Sequence, residues 1–390
     1  MGTQALTASA APGAADPAPA RTAYVGEIDA LRCFAMTAVV LQHCQLLPLG
    51  WMGVWLFYVI SGFAITTSLL GSDAPHPSRG LLIRNFMLRR AIRIWPIYVL
   101  FVAGNMIWAL IASRPDILGE LPYLLTFTYN FRMIAHEAQW PAIGHLWTIS
   151  VEEQFYLVFP FLFAFLDREG LKRALAALVV AGPLIRAGLS VWAEGALPDD
   201  GYKAFAIYVI GPAHFDSFAI GALIALHRDA IAADLARARL YFFAALGAFV
   251  AYCGVYAGLQ MQSLGFGADA LRNIISGILW GEGRQIVMYS AIALLAGSLI
   301  ALVLAKEAWI GAVCAIPGLQ AIGRVSYGAY LYHLPVLVLV SSLLPARDGA
   351  WSFTHQAMTF AIVYGVTLAV AFASFRFIEK PFLRLRHRFA

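Results

Sequence analysis

Apolar runs of about twenty residues recur along this chain with short polar breaks between them. That spacing matches the thickness of a bilayer crossed by helices at 1.5 Å per residue. The pattern predicts ten spans, over roughly 28–47, 51–70, 91–113, 143–166, 172–192, 204–226, 240–260, 285–305, 325–344 and 354–377. One more apolar stretch, 121–131, is too short to span and is expected to be re-entrant or interfacial. Residues 1–22, rich in Ala and Pro without periodicity, are expected to form a disordered cytoplasmic tail. They show no basic region followed by an apolar one, so a signal peptide is not expected. The spans occupy 23–383, and 384–390 reads as a basic tail beyond a last helix that Pro381 is expected to end.

Composition agrees with the pattern. With 61% hydrophobic and 13% charged residues and a mean hydropathy of +0.73, the chain lacks the polar surface that a soluble globule of this size needs. The expected fold class is therefore all-α, a polytopic membrane protein. An even number of spans puts both termini on one side, and the positive-inside rule tests that arrangement. Of 27 Lys and Arg residues, nineteen fall in the connections on the side of the termini, six on the other side, and two, Arg32 and Arg186, within spans. Both termini are thus expected in the cytoplasm. The basic balance reports membrane topology here; no phosphate loop, zinc spacing or RNA-binding signature points to nucleic acid. Cys33, Cys44, Cys253 and Cys314 lie in or beside apolar runs without CxxC spacing, which fits small buried side chains, and no metal site is expected.

Against this background the intramembrane polar residues stand out, because such groups are costly in lipid and face a protein interior, a wet cavity or a partner. The first span carries Asp29, Arg32 and His43. Arg32 and His43 are 11 residues apart, on one face with about 16 Å of axial separation, Arg32 near the cytoplasmic end and His43 toward the outside. In FMLRRAIRIWPIYVL, Arg90 and Arg93 lie one turn apart, so two guanidinium forks can converge on one anion. The bland alternative is a topology determinant that touches anionic lipid. In IGHLWTISVEEQFYLVFPF, Glu152 and Glu153 enter at a depth comparable to His43; at most one can meet a given partner, either His43 as the carboxylate that orients a general base, or Arg186 in a structural ion pair. Asp216 lies mid-span, and Ser326, Tyr330 and His333 share a helix face, although a lone His333 is more often a satisfied core histidine.

Six segments in this order resemble the acyltransferase 3 family of integral membrane acyltransferases. They are Asp29, Leu31, Arg32 and His43 of the opening helix, GVWLFYVISGFAIT (53–66), RRAIRIWPIY (89–98), HLWTISVEEQFYL (145–157), SYGAYLYHLPV (326–336) and FIEKP (377–381), so the resemblance covers Ile28 to Leu383. Trp55 departs from the pattern, standing where many relatives have a small or acidic residue. The resemblance implies about ten transmembrane helices and transfer of an acyl group, often acetyl, from cytosolic acyl-CoA to a sugar hydroxyl. It assigns the essential histidine to His43, the first-helix arginine to Arg32, the paired arginines to Arg90 and Arg93, and the acid to Glu152, with Glu153 ranked lower.

The expected chemistry has CoA phosphates on Arg90, Arg93 and Arg32 and His43 as general base oriented by Glu152. Ser150, Tyr330 or His333 would steady the oxyanion, and Arg186 and Asp216 are expected to support the site. Acyl-CoA, a glycan or glycolipid acceptor and membrane lipids are the expected partners, in the cytoplasmic (inner) membrane. Two alternatives stay open at this level: a proton-coupled transporter or glycan exporter, and an acyltransferase whose acceptor is a cytosolic antibiotic-type glycoside.

Overall fold

A computed structural model describes residues 25–71, 78–136, 141–265, 274, 277–345 and 352–385. The expected tail 1–22 and residues 386–390 of the basic tail lie outside the described residues. The long helices are α1 (Gly26–His43), α2 (Met52–Leu70), α3 (Arg79–Ile111), α4 (Trp147–Phe165) and α5 (Arg168–Ala196). After them come α6 (Asp200–Val209), α7 (Phe215–Leu226), α8 (Leu235–Leu264), α9 (Arg284–Leu304), α10 (Ser326–Leu343) and α11 (Phe353–Ser374). Among the described residues there is no strand, and the protein is an all-α polytopic membrane protein.

Among the described residues, seven helices are long and apolar enough to cross a membrane, or eight if the bent pair formed by α6 and α7 is one span. Two long helices, α1 and α4, fall outside that set. They are the helices that carry Asp29 and Arg32, and Glu152 and Glu153. A helix this polar is tolerable in lipid only where neighbours enclose it, and α1 is enclosed by backbone. A Cβ added at Gly50 or Gly53, where α2 begins, would lie 2.0 or 2.3 Å from the carbonyl oxygens of Ala38 or Ala35 of α1. One added at Gly323, in the short helix Leu319–Arg324, would lie 1.7 Å from that of Asp29. The same device joins α2 to α7, with Gly62 against the Phe218 carbonyl and Gly221 against that of Val59. Small residues are what let helix backbones close on one another where lipid tails remove the hydrophobic drive.

Two expectations change and a third gains detail. The span 204–226 is broken: α6 and the segment Gly211–Leu226 meet at 73°, where Gly211 and Pro212 interrupt the hydrogen-bond ladder. The backbone carbonyls near the break are taken by side chains, Tyr208 by His214 Nε2 at 3.0 Å, Val209 by Asn130 Nδ2 at 3.2 Å and Ala213 by Arg186 Nη1 at 2.5 Å. Such replacement is obligatory in a bilayer, where an unpaired backbone group has no water to turn to. Second, the last helix does not stop at Pro381. It widens into a π turn over Phe375–Glu379 and resumes as Lys380–Leu383, with Pro381 in the first turn of the resumed helix, where a missing N–H is tolerated. Third, the 121–131 stretch forms two short helices, Leu121–Leu125 and Tyr129–Ala135, tied to α4 by Gln154 Nε2 through Phe127 O and Asn130 Oδ1, both at 2.9 Å.

Arg186 and Asp216 form a fully buried pair, Nη2 to Oδ2 at 3.0 Å. Arg186 also donates to Ser290 and to the Ile286 carbonyl, and Ser290 donates to the same Asp216 oxygen at 2.7 Å. The structural ion pair considered for Arg186 thus exists, but its acid is Asp216 and not Glu152 or Glu153. Removing one partner leaves the other as an uncompensated charge. Asp216→Leu is therefore expected to cost about 3–5 kcal/mol of stability, read as a lowered thermal midpoint in detergent, whereas an exposed pair such as Lys172 with Glu169 should tolerate the same test with little change.

Candidate active site

Two cavities approach each other along α1. The first takes Arg32 from α1, Ser61 from α2, Arg90 and Arg93 from α3, Glu152 and Tyr156 from α4, and Arg324 and Tyr327 from the region that leads into α10. The second begins near the other end of α1, where Gln42 and His43 are joined by His145, Trp147, Tyr208 and Gln356. Val54, Thr148 and Tyr330 line both cavities, and Thr148 Oγ1 and the Tyr330 hydroxyl are 2.9 Å apart, so one hydrogen bond stands where the two spaces meet.

Charge distinguishes the first cavity. Arg32 Nη1 is held by Asp29 Oδ1 at 2.6 Å, but among the described residues no ion pair to a carboxylate is formed by Arg90, Arg93 or Arg324. Arg90 lies over the rings of Phe86 and Tyr156, 6.0 and 5.6 Å from their centroids, which holds the guanidinium by its face. Glu152 is the acid in this wall, and its carboxylate accepts the hydroxyls of Ser61 and Tyr156. Three guanidinium groups without such an ion pair, those of Arg90, Arg93 and Arg324, share this wall with the Glu152 carboxylate and leave it with excess positive charge that suits an anion; the planar forks suit phosphate oxygens.

The second cavity is built on imidazoles. His43 ends α1, and its ring centroid is 5.1 Å from that of His333, which is 4.9 Å from that of His145. His145 donates from Nε2 to the Leu331 carbonyl at 3.1 Å, and Thr148 Oγ1 donates to the His145 carbonyl at 2.9 Å. Below lies a packed aromatic cluster in which Trp55 is buried and stacked on Tyr289 at 4.8 Å. Trp55 lines neither cavity, so the departure from the family pattern falls on the support beneath the site.

The structure brings Arg32, Arg90, Arg93, Glu152 and Tyr330 to the first cavity and His43 and Tyr330 to the second, with His333 buried beside His43. The expected contact between Glu152 and His43 is absent. Among the described residues no hydrogen bond joins them, because Glu152 faces the arginine cavity and is already held by Ser61 and Tyr156. Ser150 is no oxyanion donor here: its hydroxyl bonds back to the Leu146 carbonyl at 3.3 Å, fully buried and away from both cavities. Glu153 lines neither cavity, and its Oε1 is buried and unpartnered. Arg186 and Asp216 line neither cavity and belong to the structural pair. Sequence reasoning passed over His145, Thr148, Tyr156, Ser61 and Arg324. The first two carried a signal, since His145, Thr148 and Glu152 follow at spacings of three and four. Arg324 carried none, being one more cation in a basic connection.

Comparison with known proteins gives the class. A family described as an acyltransferase domain matches residues 25–376. The chain belongs to this acyltransferase 3 family. It is similar to the protein named "Putative peptidoglycan O-acetyltransferase YrhL" of Bacillus subtilis (strain 168), 25% identical over 381 residues, covering 92% of this chain and 55% of that protein. It is also similar to "O-acetyltransferase OatA" of Staphylococcus aureus (strain NCTC 8325 / PS 47), 24% identical over 373 residues, covering 92% of this chain and 57% of that one. The chain thus spans little more than half the length of these relatives. No solved structure matches it.

If the cavities open to opposite sides, single cysteines will report it. In a Cys253→Ala background, since Cys253 is only partly buried while Cys33, Cys44 and Cys314 are buried, Ser61→Cys is expected to react with a membrane-impermeant thiol reagent from one face of sealed vesicles and Gln42→Cys from the other. Labelling of both from one face would show that the cavities share an entrance.

Proposed function

We propose that this protein is a membrane O-acyltransferase that moves an acyl group, acetyl in the simplest case, from cytosolic acyl-CoA to a sugar hydroxyl of a surface glycan or lipid-linked precursor. The observation that carries this reading is the junction: a cavity with uncompensated arginines and a cavity with His43 share Val54, Thr148 and Tyr330 as a wall. Family membership supports acyl transfer, and the name of the Bacillus subtilis relative supports a glycan acceptor. The reading places the protein in the cytoplasmic (inner) membrane with both termini inside.

In this mechanism the phosphates of the donor sit on Arg90, Arg93 and Arg324, with Arg32 at the inner end of the same wall. The thioester reaches the junction, and the acceptor hydroxyl enters through the His43 cavity. His43 takes the hydroxyl proton as the oxygen attacks the thioester carbonyl, and returns it to the departing CoA thiolate, so that protons balance over the cycle. The Tyr330 hydroxyl, which donates to Thr148 Oγ1 because the Thr148 hydrogen is on the His145 carbonyl, stands at the junction and can turn its O–H to the oxyanion between these steps. Glu152 acts on the donor side, holding Ser61 and Tyr156 and, through the Tyr156 ring, the face of Arg90. Direct transfer needs no covalent acyl-histidine, since donor and acceptor meet in one place. A carrier reading would call for broken-helix backbone open to a substrate path. Here the carbonyls of Tyr208, Val209 and Ala213 at the break are bonded by side chains, which favours the enzyme.

Purified protein, labelled acetyl-CoA and a hydroxylated glycan test the reading. His43→Ala is expected to lower kcat by about 10²–10⁴-fold; unchanged transfer would remove His43 from the chemistry. Arg90→Ala and Arg93→Ala each remove charge-assisted bonds worth about 1.5–3 kcal/mol, so donor KM should rise roughly tenfold to a hundredfold with a smaller effect on kcat. Unchanged donor affinity would return the pair to a topological role.

A further inference from the structure

Three histidine rings from three elements meet beside the junction. His43 ends α1, His333 lies midway along α10, and His145 sits in the turn Pro141–Leu146 that leads into α4. Their tautomers follow from the backbone around them. His333 Nδ1 is 2.6 Å from the Tyr330 carbonyl oxygen, and His145 Nε2 is 3.1 Å from that of Leu331. A carbonyl oxygen only accepts, so each of those nitrogens carries the hydrogen and the opposite nitrogen of each ring is a bare lone pair. The Leu331 carbonyl is open to His145 because the residue four positions on is Pro335, which has no N–H to close the helical bond.

The two bare nitrogens, His333 Nε2 and His145 Nδ1, are buried and have no hydrogen-bond partner. Two lone pairs cannot bond each other. Of the three rings, His43 is the one whose N–H is not committed to a carbonyl, and its ring lies 5.1 Å from His333 between centroids at an interplanar angle of 43°. The two rings do not share a hydrogen bond as they stand, but a turn of the His43 ring to an edge-to-edge arrangement at that separation brings the nitrogens about 3 Å apart, the length of a hydrogen bond.

The geometry points to His333 as the positioning residue of His43: His333 Nε2 accepts the N–H of His43, fixing one tautomer and presenting the other, bare nitrogen to the cavity where the acceptor hydroxyl enters. This inference rests on His43 as the base, and it gives His333 the orienting role that sequence spacing had given to Glu152. A neutral imidazole performs the task without burying a second charge in a low-dielectric site. When His43 has taken the hydroxyl proton it holds two N–H groups, one on His333 and one for the departing thiolate, and His333 stays neutral throughout.

Two polar variants separate the acceptor from its bulk. His333→Asn keeps an amide able to reach the Tyr330 carbonyl and removes the acceptor at the Nε2 position; His333→Gln places a carbonyl oxygen near that position. In full-length protein labelled with ¹⁵N in the histidine rings, His43 is expected to show a single neutral tautomer in the parent and in His333→Gln, and a mixture in His333→Asn. In parallel, His333→Asn should lower kcat about 10–100-fold with donor KM within about twofold of the parent, and His333→Gln should recover most of the loss. A single His43 tautomer that survives His333→Asn overturns the proposal, as does a Gln variant as slow as the Asn variant while both bind acetyl-CoA. Absence of any CoA-dependent transfer in the parent would overturn the reading of function, and the tautomer measurement would still decide this one.

Discussion

The structure depends on how closely other backbones approach the opening helix. Helices in lipid gain little from burying apolar side chains against one another, so a helix with Asp29, Arg32 and His43 has to be held by contact and hydrogen bonding. Gly50, Gly53 and Gly323 provide that contact, letting neighbouring segments close onto the carbonyl groups of α1 where a single added carbon would collide. The two polar residues that matter most lie near opposite ends of this helix. Its fixed position therefore sets the distance between the arginine cavity and the histidine cavity.

Two groups of buried polar residues contrast in how they are matched. Arg186, Asp216, Ser290 and the carbonyls of the broken helix are matched group for group, which is how a bilayer protein makes buried polarity tolerable. Around the junction the matching fails in a particular direction. Arginines outnumber acids in the first cavity, and two imidazole nitrogens in the second lack donors. The two places have opposite character, with excess positive charge in the first and bare acceptor nitrogens beside the second.

The part of the chain that matches the curated relatives is almost all of it, yet only little more than half of theirs. What the comparison transfers is therefore the membrane-embedded acyltransferase domain. Under the proposed function the acceptor enters the His43 cavity of this chain, whose walls include Trp147, Tyr208 and Gln356.

From the sequence alone, the all-α membrane class was legible because apolar length is a one-dimensional property, and so were the Arg90 and Arg93 pair and the shared face of Arg32 and His43, because helical spacing is local. The resemblance added the expectation that His43 acts as the base. Tertiary structure decided what each of these residues faces. Glu152 and Glu153 were both candidate partners for His43, yet α4 places Glu152 in the wall of the arginine cavity, out of contact with His43, and leaves Glu153 out of that wall. Arg186 found its acid 30 residues on, in Asp216, across a bend that apolar length could not reveal, since Gly211 and Pro212 redirect the chain without lowering its hydropathy. His145 and His333 are nearly two hundred residues apart and join only because Pro335 frees a carbonyl at the point where two helices meet. Spacing along one helix is written in the sequence, whereas contact between helices depends on rotations and bends that only the assembled bundle sets.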